Sequence, residues 1–184
     1  DIRYDVPSYN IYRNGRLSES CRNLSNSWST ELVSFLIGCS FSFETAMKDA
    51  YIPLRHQELG CNVPMFITSI PTTPAGIFSG PLVVSMRPVN RGLISKAVQV
   101  TSRFPDTHGA PIHIGSPLSI GINDIYKPDF GDPVPVRSDE EPVFWACGVT
   151  PQAVAIQSSL PLMITHSPGH MLITDKRDSD YAVI

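Results

Sequence analysis

Residues 142–152, PVFWACGVTPQ, carry the clearest indication of the architecture, a strand that runs directly into a helix. Residues 143–147 are rich in β-branched and aromatic side chains, which favour strands. Gly148 then turns the chain, and a Thr-Pro pair beginning at Thr150 has the residue types that start a helix. The stretch therefore predicts one unit of an α/β layer, with Cys147 at the end of its strand.

Short elements of both kinds are predicted outward from this stretch, because seventeen prolines and twelve glycines interrupt the chain. Strands alternating with short helices predict an α/β class, a layered mixed sheet with flanking short helices. A change in pattern near Pro64 predicts a smaller two-layer α/β lobe at 63–111 beside a main domain of 1–62 and 112–184. Strands are predicted at residues 9–13, 65–70, 82–86, 112–114, 143–147, 162–166 and 171–174. Helices are predicted at 28–37 and 90–101, and starting near Ser42, Ser116 and Thr150.

Composition excludes several classes of function. Fourteen basic and seventeen acidic residues leave a formal net charge of −3 without a basic run, so we expect no nucleic-acid partner. The longest apolar stretches, such as 81–86, are too short to cross a bilayer, so no membrane partner is expected. The four cysteines form no C-x-x-C pair, which favours reduced thiols and a cytoplasmic location. The chain begins at Asp1 without Met, as a fragment or processed chain would.

Cys147 is the first candidate for chemistry. A thiol between a strand end and a helix N-terminus lies where α/β proteins bind ligands. The unpaired amides of the helix would attract a substrate carboxylate, which makes Gly148 and Thr150 candidate binding residues. The same amides would lower the pKa of a nearby thiol. A buried core cysteine beside a turn glycine is an equally good interpretation.

His166 and His170 flank the predicted turn Ser167-Pro168-Gly169 and are the second candidate. Two imidazoles that converge across a turn could transfer protons or, with Asp175 or His113, bind a metal. Pro168 prevents the helix on which a four-residue His spacing would be a strong metal signal, so no metal is assigned. A turn whose histidines bond only to backbone groups is the alternative.

Other polar residues complete the candidate set. Arg87 follows a buried predicted strand and could bind a carboxylate with two parallel hydrogen bonds, although it could equally pair with a structural acid. Arg103 ends a predicted helix, where capping would also explain it. Candidate acid–base residues are Glu44 and His113, and further candidate binding residues are Ser40 and Asn62.

Several long motifs together resemble the hydro-lyase family related to D-glutamate cyclase. The likeness runs nearly from end to end of the chain. Its motifs are FLIGCSFSFE at 35–44, RH at 55–56, GCNVPM at 60–65, FSGP at 78–81, SMRP at 85–88, TSRFP at 101–105, HGAP at 108–111, DFGD at 129–132, the Cys147 stretch and HSPGH at 166–170.

This resemblance implies two α/β lobes and a reaction that eliminates water from a small carboxylic or amino acid. In the D-glutamate cyclase form, the amino group closes onto the side-chain carboxyl and gives 5-oxoproline. Such chemistry needs an acid, a base and a cation for the other carboxylate. We assign the proton transfers to His166 and His170 and the cation to Arg87, while Cys147 would act as a second acid or base or as a nucleophile that forms a transient thioester. Members of the family typically begin with a further N-terminal segment, which would either belong to another chain or have been lost, so the resemblance does not imply a complete active site in this sequence.

The sequence therefore predicts a carbon–oxygen lyase without a cofactor, acting on a small-molecule carboxylate. Two other functions stay open: a metal-dependent enzyme with a His/Asp site, and a carboxylate-binding module or subunit without catalysis. A racemase using Cys61 and Cys147 is a weaker alternative. Either a homo-oligomer or an association with the further N-terminal segment is compatible with the sequence.

Overall fold

The strands of the protein form two sheets in the computed structural model, which describes residues 1–183. Every strand pair in both sheets is antiparallel. The first sheet has the order β2-β1-β7, with β1 at Tyr9–Arg13, β2 at Arg16–Cys21 and β7 at Met163–His166. The second has the order β3-β4-β6-β5, with β3 at Met65–Pro71, β4 at Pro81–Asn90, β5 at His113–Ile114 and β6 at Glu140–Ala146.

Short helices connect and cover these strands, which confirms the predicted α/β class. The α-helices are α1 at Glu44–Asp49, α2 at Arg55–Glu58, α3 at Ile94–Thr101 and α4 at Thr150–Ser158. Single turns of 3-10 helix lie at Ser40–Phe43, Arg91–Leu93, Pro105–Thr107, Pro117–Ile120 and Asp178–Tyr181.

Most predicted elements are confirmed. The predicted turn between β1 and β2 has Asn14 and Gly15 at φ of 49° and 73°, the left-handed conformation that tight hairpins require. Asn90 opens the predicted helix by accepting a hydrogen bond from the Gly92 amide with its side chain. The strand-to-helix unit around Cys147 is β6 followed by α4.

Two predicted elements are wrong. Residues 28–37 form turns and extended chain instead of a helix, and Val33, Phe35 and Leu36 are 70–79% exposed. A short helix draws most of its stability from packing its apolar face, and these side chains have little to pack against. Residues 171–174 form no strand, since no strand among residues 1–183 pairs with them.

The second sheet forms the core, and side-chain alternation along its strands fills two separate clusters. Val143 and Trp145 of β6 pack with Phe43, before α1, and with Ala97 of α3. Phe144, between them in sequence, packs on the opposite face with Phe66, Val84, Met86, Ile120 and Val134. The face under α1 and α3 matters for function because Arg87 of β4 also points into it.

Both predicted lobes contribute strands to this sheet: β3 and β4 come from 63–111, and β5 and β6 come from 112–184. The division of the chain at these positions stays a prediction. As for membranes, none of the helices in residues 1–183 has the length and apolar character that a transmembrane span needs.

Candidate functional site

The site is built around Arg87, a fully buried arginine in the middle of β4. Alternation along the strand places it on the same face as Val89, beneath α1. Its guanidinium carbon lies 5.1 Å from the ring centre of Phe43 and 5.4 Å from that of Trp145. Aromatic faces attract a cation but do not replace its water of hydration, so this arginine requires hydrogen-bond acceptors inside the protein.

Those acceptors are one carboxylate and two hydroxyls. Arg87 Nε donates to Glu44 Oε1 at 2.8 Å, and Nη2 donates to the same oxygen. Nη1 donates to Ser85 Oγ at 3.1 Å, and Nη2 also donates to Ser40 Oγ at 3.2 Å. The two hydroxyl oxygens are 3.4 Å apart, so the cluster links the chain before α1 to the core of β4.

Glu44 is the first residue of α1 and is almost completely buried. Its Oε1 lies 3.1 Å from His56 Nε2, and its Oε2 accepts a hydrogen bond of 2.6 Å from Gln57 Nε2. Burial alone would raise the pKa of this carboxyl, but Arg87 and His56 outweigh it and hold the pKa at about 2. Glu44 is therefore an ionised partner of Arg87 throughout the physiological pH range.

Three loop segments meet beside this ion pair, at residues 38–40, 107–109 and 147–149, and we call them the junction. A Cβ on Gly38 would collide with the carbonyl oxygen of Asp106, so glycine is what allows the first two segments to touch. A Cβ on Gly148 would lie 3.6 Å from Gly38 O and 4.0 Å from His108 Nε2. The junction thus brings Cys39, His108 and Cys147 into one neighbourhood from distant parts of the chain.

Both thiols of the junction are protonated at neutral pH. Burial raises the pKa of Cys147 to about 11, although the amide of Val149 and the charge of Arg87 act in the opposite direction. Burial also raises the pKa of Cys39. Such thiols are poor nucleophiles at neutral pH, because little thiolate is present, but they can donate a proton.

His108 differs from these thiols because its pKa is lowered, and its backbone has a positive φ. Burial lowers the pKa of its imidazole and Arg87 lowers it further, while the backbone of Gly38 partly offsets them, so the ring is neutral at pH 7. Its Nε2 is buried without a hydrogen-bond partner among residues 1–183. Its φ of 81° lies in the left-handed region, which is strained for a residue other than glycine. Strain and an unsatisfied buried polar atom together indicate a functional position.

The structure brings five of the predicted site residues to the junction or directly beneath it: Cys147, Gly148, Ser40, Glu44 and Arg87. Thr150 lies next to them at the start of α4. Its hydroxyl donates to Cys147 O at 2.8 Å, and its own amide bonds to the same carbonyl. These bonds already use the Thr150 amide that was predicted to attract a carboxylate.

The other predicted residues lie elsewhere. His166 Nδ1 is 2.7 Å from Ser167 O, and His170 Nδ1 is 3.0 Å from Pro168 O, so each imidazole bonds to its own turn. Among residues 1–183, no hydrogen bond joins either of these histidines to Arg87 or Cys147. Whether they act in catalysis stays a prediction.

Three further candidates also bond to groups outside the junction. His113 Nε2 is 2.8 Å from Ser116 O. Arg103 is exposed and donates to Val183 O at 3.3 Å. Asn62 takes part in a turn, where its side chain accepts a hydrogen bond from the Val63 amide.

A metal site finds no support in the part of the chain that is described. Residues 1–183 contain no group of three His, Cys, Asp or Glu side chains placed to hold a metal ion. The alternative that combines His166 and His170 with Asp175 or His113 therefore lacks its ligand set in this region.

Sequence reasoning missed Cys39 and His108 as site residues, although both belong to motifs that carry the family resemblance. One local signal was present in each segment. Cys39 follows Gly38, and His108 precedes Gly109 in a turn, so each side chain adjoins a glycine that permits close approach of backbones.

Comparison with known proteins first gives the class of the molecule. Three relatives each carry the name "Putative hydro-lyase". The one from Geobacillus kaustophilus is 58% identical over 184 residues, all of this chain and 70% of the relative. The one from Thermoanaerobacter sp. strain X514 is 58% identical over 178 residues, 97% of this chain and 67% of the relative. The one from Saccharopolyspora erythraea is 56% identical over 183 residues, all of this chain and 72% of the relative.

These relatives confirm the prediction of an enzyme of the carbon–oxygen lyase class. The family described as D-glutamate cyclase matches residues 33–175, and the chain belongs to this family. The matched region contains the whole junction together with Glu44 and Arg87, so the geometry described above lies inside the part of the chain that the family model matches.

Proposed function

We propose that the chain eliminates water from a small carboxylic or amino acid at the junction, the specific reaction being cyclisation of D-glutamate to 5-oxoproline. The observation that carries this proposal is that a neutral imidazole, His108, and a protonated thiol, Cys147, lie in the same junction beside a buried ion pair. Neighbouring groups whose pKa values are shifted in opposite directions are suited to act as base and acid in one reaction.

The base of the proposed reaction is His108. Its Nε2 has no partner in residues 1–183, and it is neutral at pH 7, so it can accept a proton from the substrate ammonium. The amine that remains attacks the side-chain carboxyl carbon. A nitrogen–carbon bond forms and closes the five-membered ring.

The acid is Cys147. Its thiol proton moves to the departing carboxyl oxygen, and the second proton of the amine moves from the ring nitrogen to the same oxygen. The carbon–oxygen bond then breaks, and the doubly protonated oxygen leaves as water. The proton held on His108 then returns the thiolate to its thiol, so that glutamate is converted to 5-oxoproline and water without net change in the protein. The pKa of about 11 supports a role as acid over a role as nucleophile, since little thiolate exists at pH 7.

The test is incubation of the chain with D-glutamate while proton NMR follows the appearance of 5-oxoproline. L-glutamate and a panel of small 2-hydroxy acids serve as matched substrates, and heat-denatured protein gives the uncatalysed background. We expect turnover of at least one acid with loss of water, and none in the His108→Asn variant.

Absence of turnover with every acid would overturn the proposal. Saturable binding of an acid without conversion would then favour the alternative of a carboxylate-binding module. Equal rates for wild type and His108→Asn would remove the junction from the mechanism even if the reaction occurs.

A further inference from the structure

The hydrogen bonds of Arg87 leave little room for a substrate. The side chain is fully buried and donates four hydrogen bonds, two to Glu44 and one each to Ser40 and Ser85. Only one of its five N–H groups, on Nη1, has no acceptor among residues 1–183, so a substrate carboxylate could form two parallel hydrogen bonds with this guanidinium only by displacing Glu44 or a serine hydroxyl.

The same hydrogen bonds connect the segments that carry the reacting groups. Ser40 directly follows Cys39 in the junction. Ser85 is paired across the sheet with Trp145, two residues before Cys147, and the amide of Cys147 donates to Val83 O at 3.0 Å. Arg87 therefore ties the 38–40 segment to the end of β6 through buried side chains.

We propose that Ser40, with the Glu44–Arg87 pair, is a positioning device that fixes the 38–40 segment against the end of β6 without touching the substrate. The expected effect of this positioning on kcat rests on the proposed function. In this role, Ser40 and the ion pair act through the placement of Cys39, His108 and Cys147.

Two more observations agree with this role. Gly38 O and the backbone of Gly148 approach closely, so a small movement of the 38–40 segment changes the space at the junction. Glu44 is also held from its other side by His56 and Gln57, which immobilises the start of α1. Glu44 is thus held on one side by Arg87 and on the other by His56 and Gln57. This arrangement suits a structural role better than reversible binding of a substrate.

The experiment compares Ser40→Ala with Ser42→Ala. Both remove a hydroxyl from the same 3-10 turn, but the Ser42 side chain makes no hydrogen bond among residues 1–183. For Ser40→Ala we expect kcat to fall about 10- to 100-fold with KM nearly unchanged, because misplacement of reacting groups acts on the chemical step. Ser42→Ala should match wild type, and Ser40→Thr, which keeps the hydroxyl, should recover most of the lost rate.

A second readout does not depend on turnover. Labelling of Cys39 by a maleimide, followed by mass spectrometry, should be several-fold faster in Ser40→Ala than in wild type. Labelling of Cys21, in the other sheet, should be the same in both. The labelling experiment can be interpreted even if the chain converts no acid. Failure of the proposed function and failure of the positioning role can therefore be told apart.

Unchanged labelling of Cys39 in Ser40→Ala would overturn the positioning role. So would a large increase in KM with kcat unchanged, because that result would mean that the cluster binds the substrate directly.

Discussion

The junction and the turn after β7 both contain histidines, but these histidines differ in burial and in hydrogen bonding. His108 is part-buried with an unbonded Nε2 and a strained backbone. His170 is exposed, and its Nδ1 lies 3.0 Å from the carbonyl of Pro168, two residues earlier. The comparison teaches that histidines of two motifs in one chain can lie in very different surroundings.

The physical cause of the difference is burial beside a fixed charge. The junction lies next to the buried cation of Arg87, where desolvation and electrostatics act strongly on ionisable groups. In the β7 turn, His170 is exposed to solvent, where water screens such effects. The following predictions, from the largest expected change in free energy to the smallest, test whether the two regions really differ in this way.

Arg87→Met should lower the free energy of unfolding by about 3–5 kcal/mol, because it leaves the buried carboxylate of Glu44 without its partner. Urea unfolding followed by circular dichroism measures the loss. Arg91→Met is the control, since Arg91 pairs with Glu141 at the surface and such pairs contribute about 0–1 kcal/mol. Equal losses in the two variants would show that the buried pair is not special.

Acid should remove the contribution of the ionised Glu44 to the free energy of unfolding. The folded-state pKa of Glu44 is about 2 against an ordinary value of 4.5, so its contribution is complete above pH 4.5 and is lost as pH falls towards 2. The shift corresponds to about 3 kcal/mol. Urea unfolding at a series of pH values should show this decrease in wild type.

Glu44→Gln cannot lose a charge at this position, so its stability should decline less steeply over the same range. Glu19→Gln, at an exposed position in β2, should follow the wild-type slope. Parallel slopes for wild type and Glu44→Gln would contradict the low pKa of Glu44.

Cys147→Ala and His108→Asn should each reduce kcat/KM at least ~100-fold, about 2.7 kcal/mol, as loss of a general acid or base does. Steady-state kinetics on the acid that the chain converts measures the effect, and circular dichroism confirms that each variant is folded. Cys61→Ala, which changes a thiol outside the junction, should stay near wild type. A large loss there would revive the two-thiol alternative.

The pH dependence of kcat/KM should report the same two groups. Activity should fall on the acid side as His108 becomes protonated, below its ordinary pKa of 6.5, because a protonated imidazole cannot act as base. On the basic side it should fall only near pH 11, where Cys147 loses its proton. A basic limb near pH 8 would indicate a different acid.

The sequence was sufficient for the local features and insufficient for the contacts between distant segments. The β6–α4 unit and the hairpin at Asn14 follow from residue types and turn chemistry, which act over a few positions. The prediction of a helix at 28–37 was wrong because the apolar spacing looked amphipathic, although Phe35 and Leu36 on that face stay largely exposed. Arg87 and Glu44 were both candidates, but their mutual pairing depends on packing across forty-three residues.

His108 shows the same limit within the site. The burial of its Nε2 depends on tertiary contacts, with Gly38 and Gly148 lying beside it, and the sequence does not show these contacts. The motif HGAP drew attention to the segment through family resemblance, whereas the spacing of HSPGH drew it to the β7 turn. Pattern alone therefore favoured the turn histidines, of which His166 is part-buried and His170 is exposed.

The smallest expected effect concerns that pair. His170→Ala should change kcat/KM by less than about 3-fold, because surface substitutions away from special contacts typically alter free energies by within about 0.5 kcal/mol. His166→Ala is the matched variant at the other end of the turn, where the imidazole contacts the Ser167 carbonyl. Steady-state kinetics on both variants, beside His108→Asn, measures the contrast directly. A ~100-fold loss in His170→Ala would mean that the turn moves onto the junction when substrate binds, and catalysis would then belong to both regions.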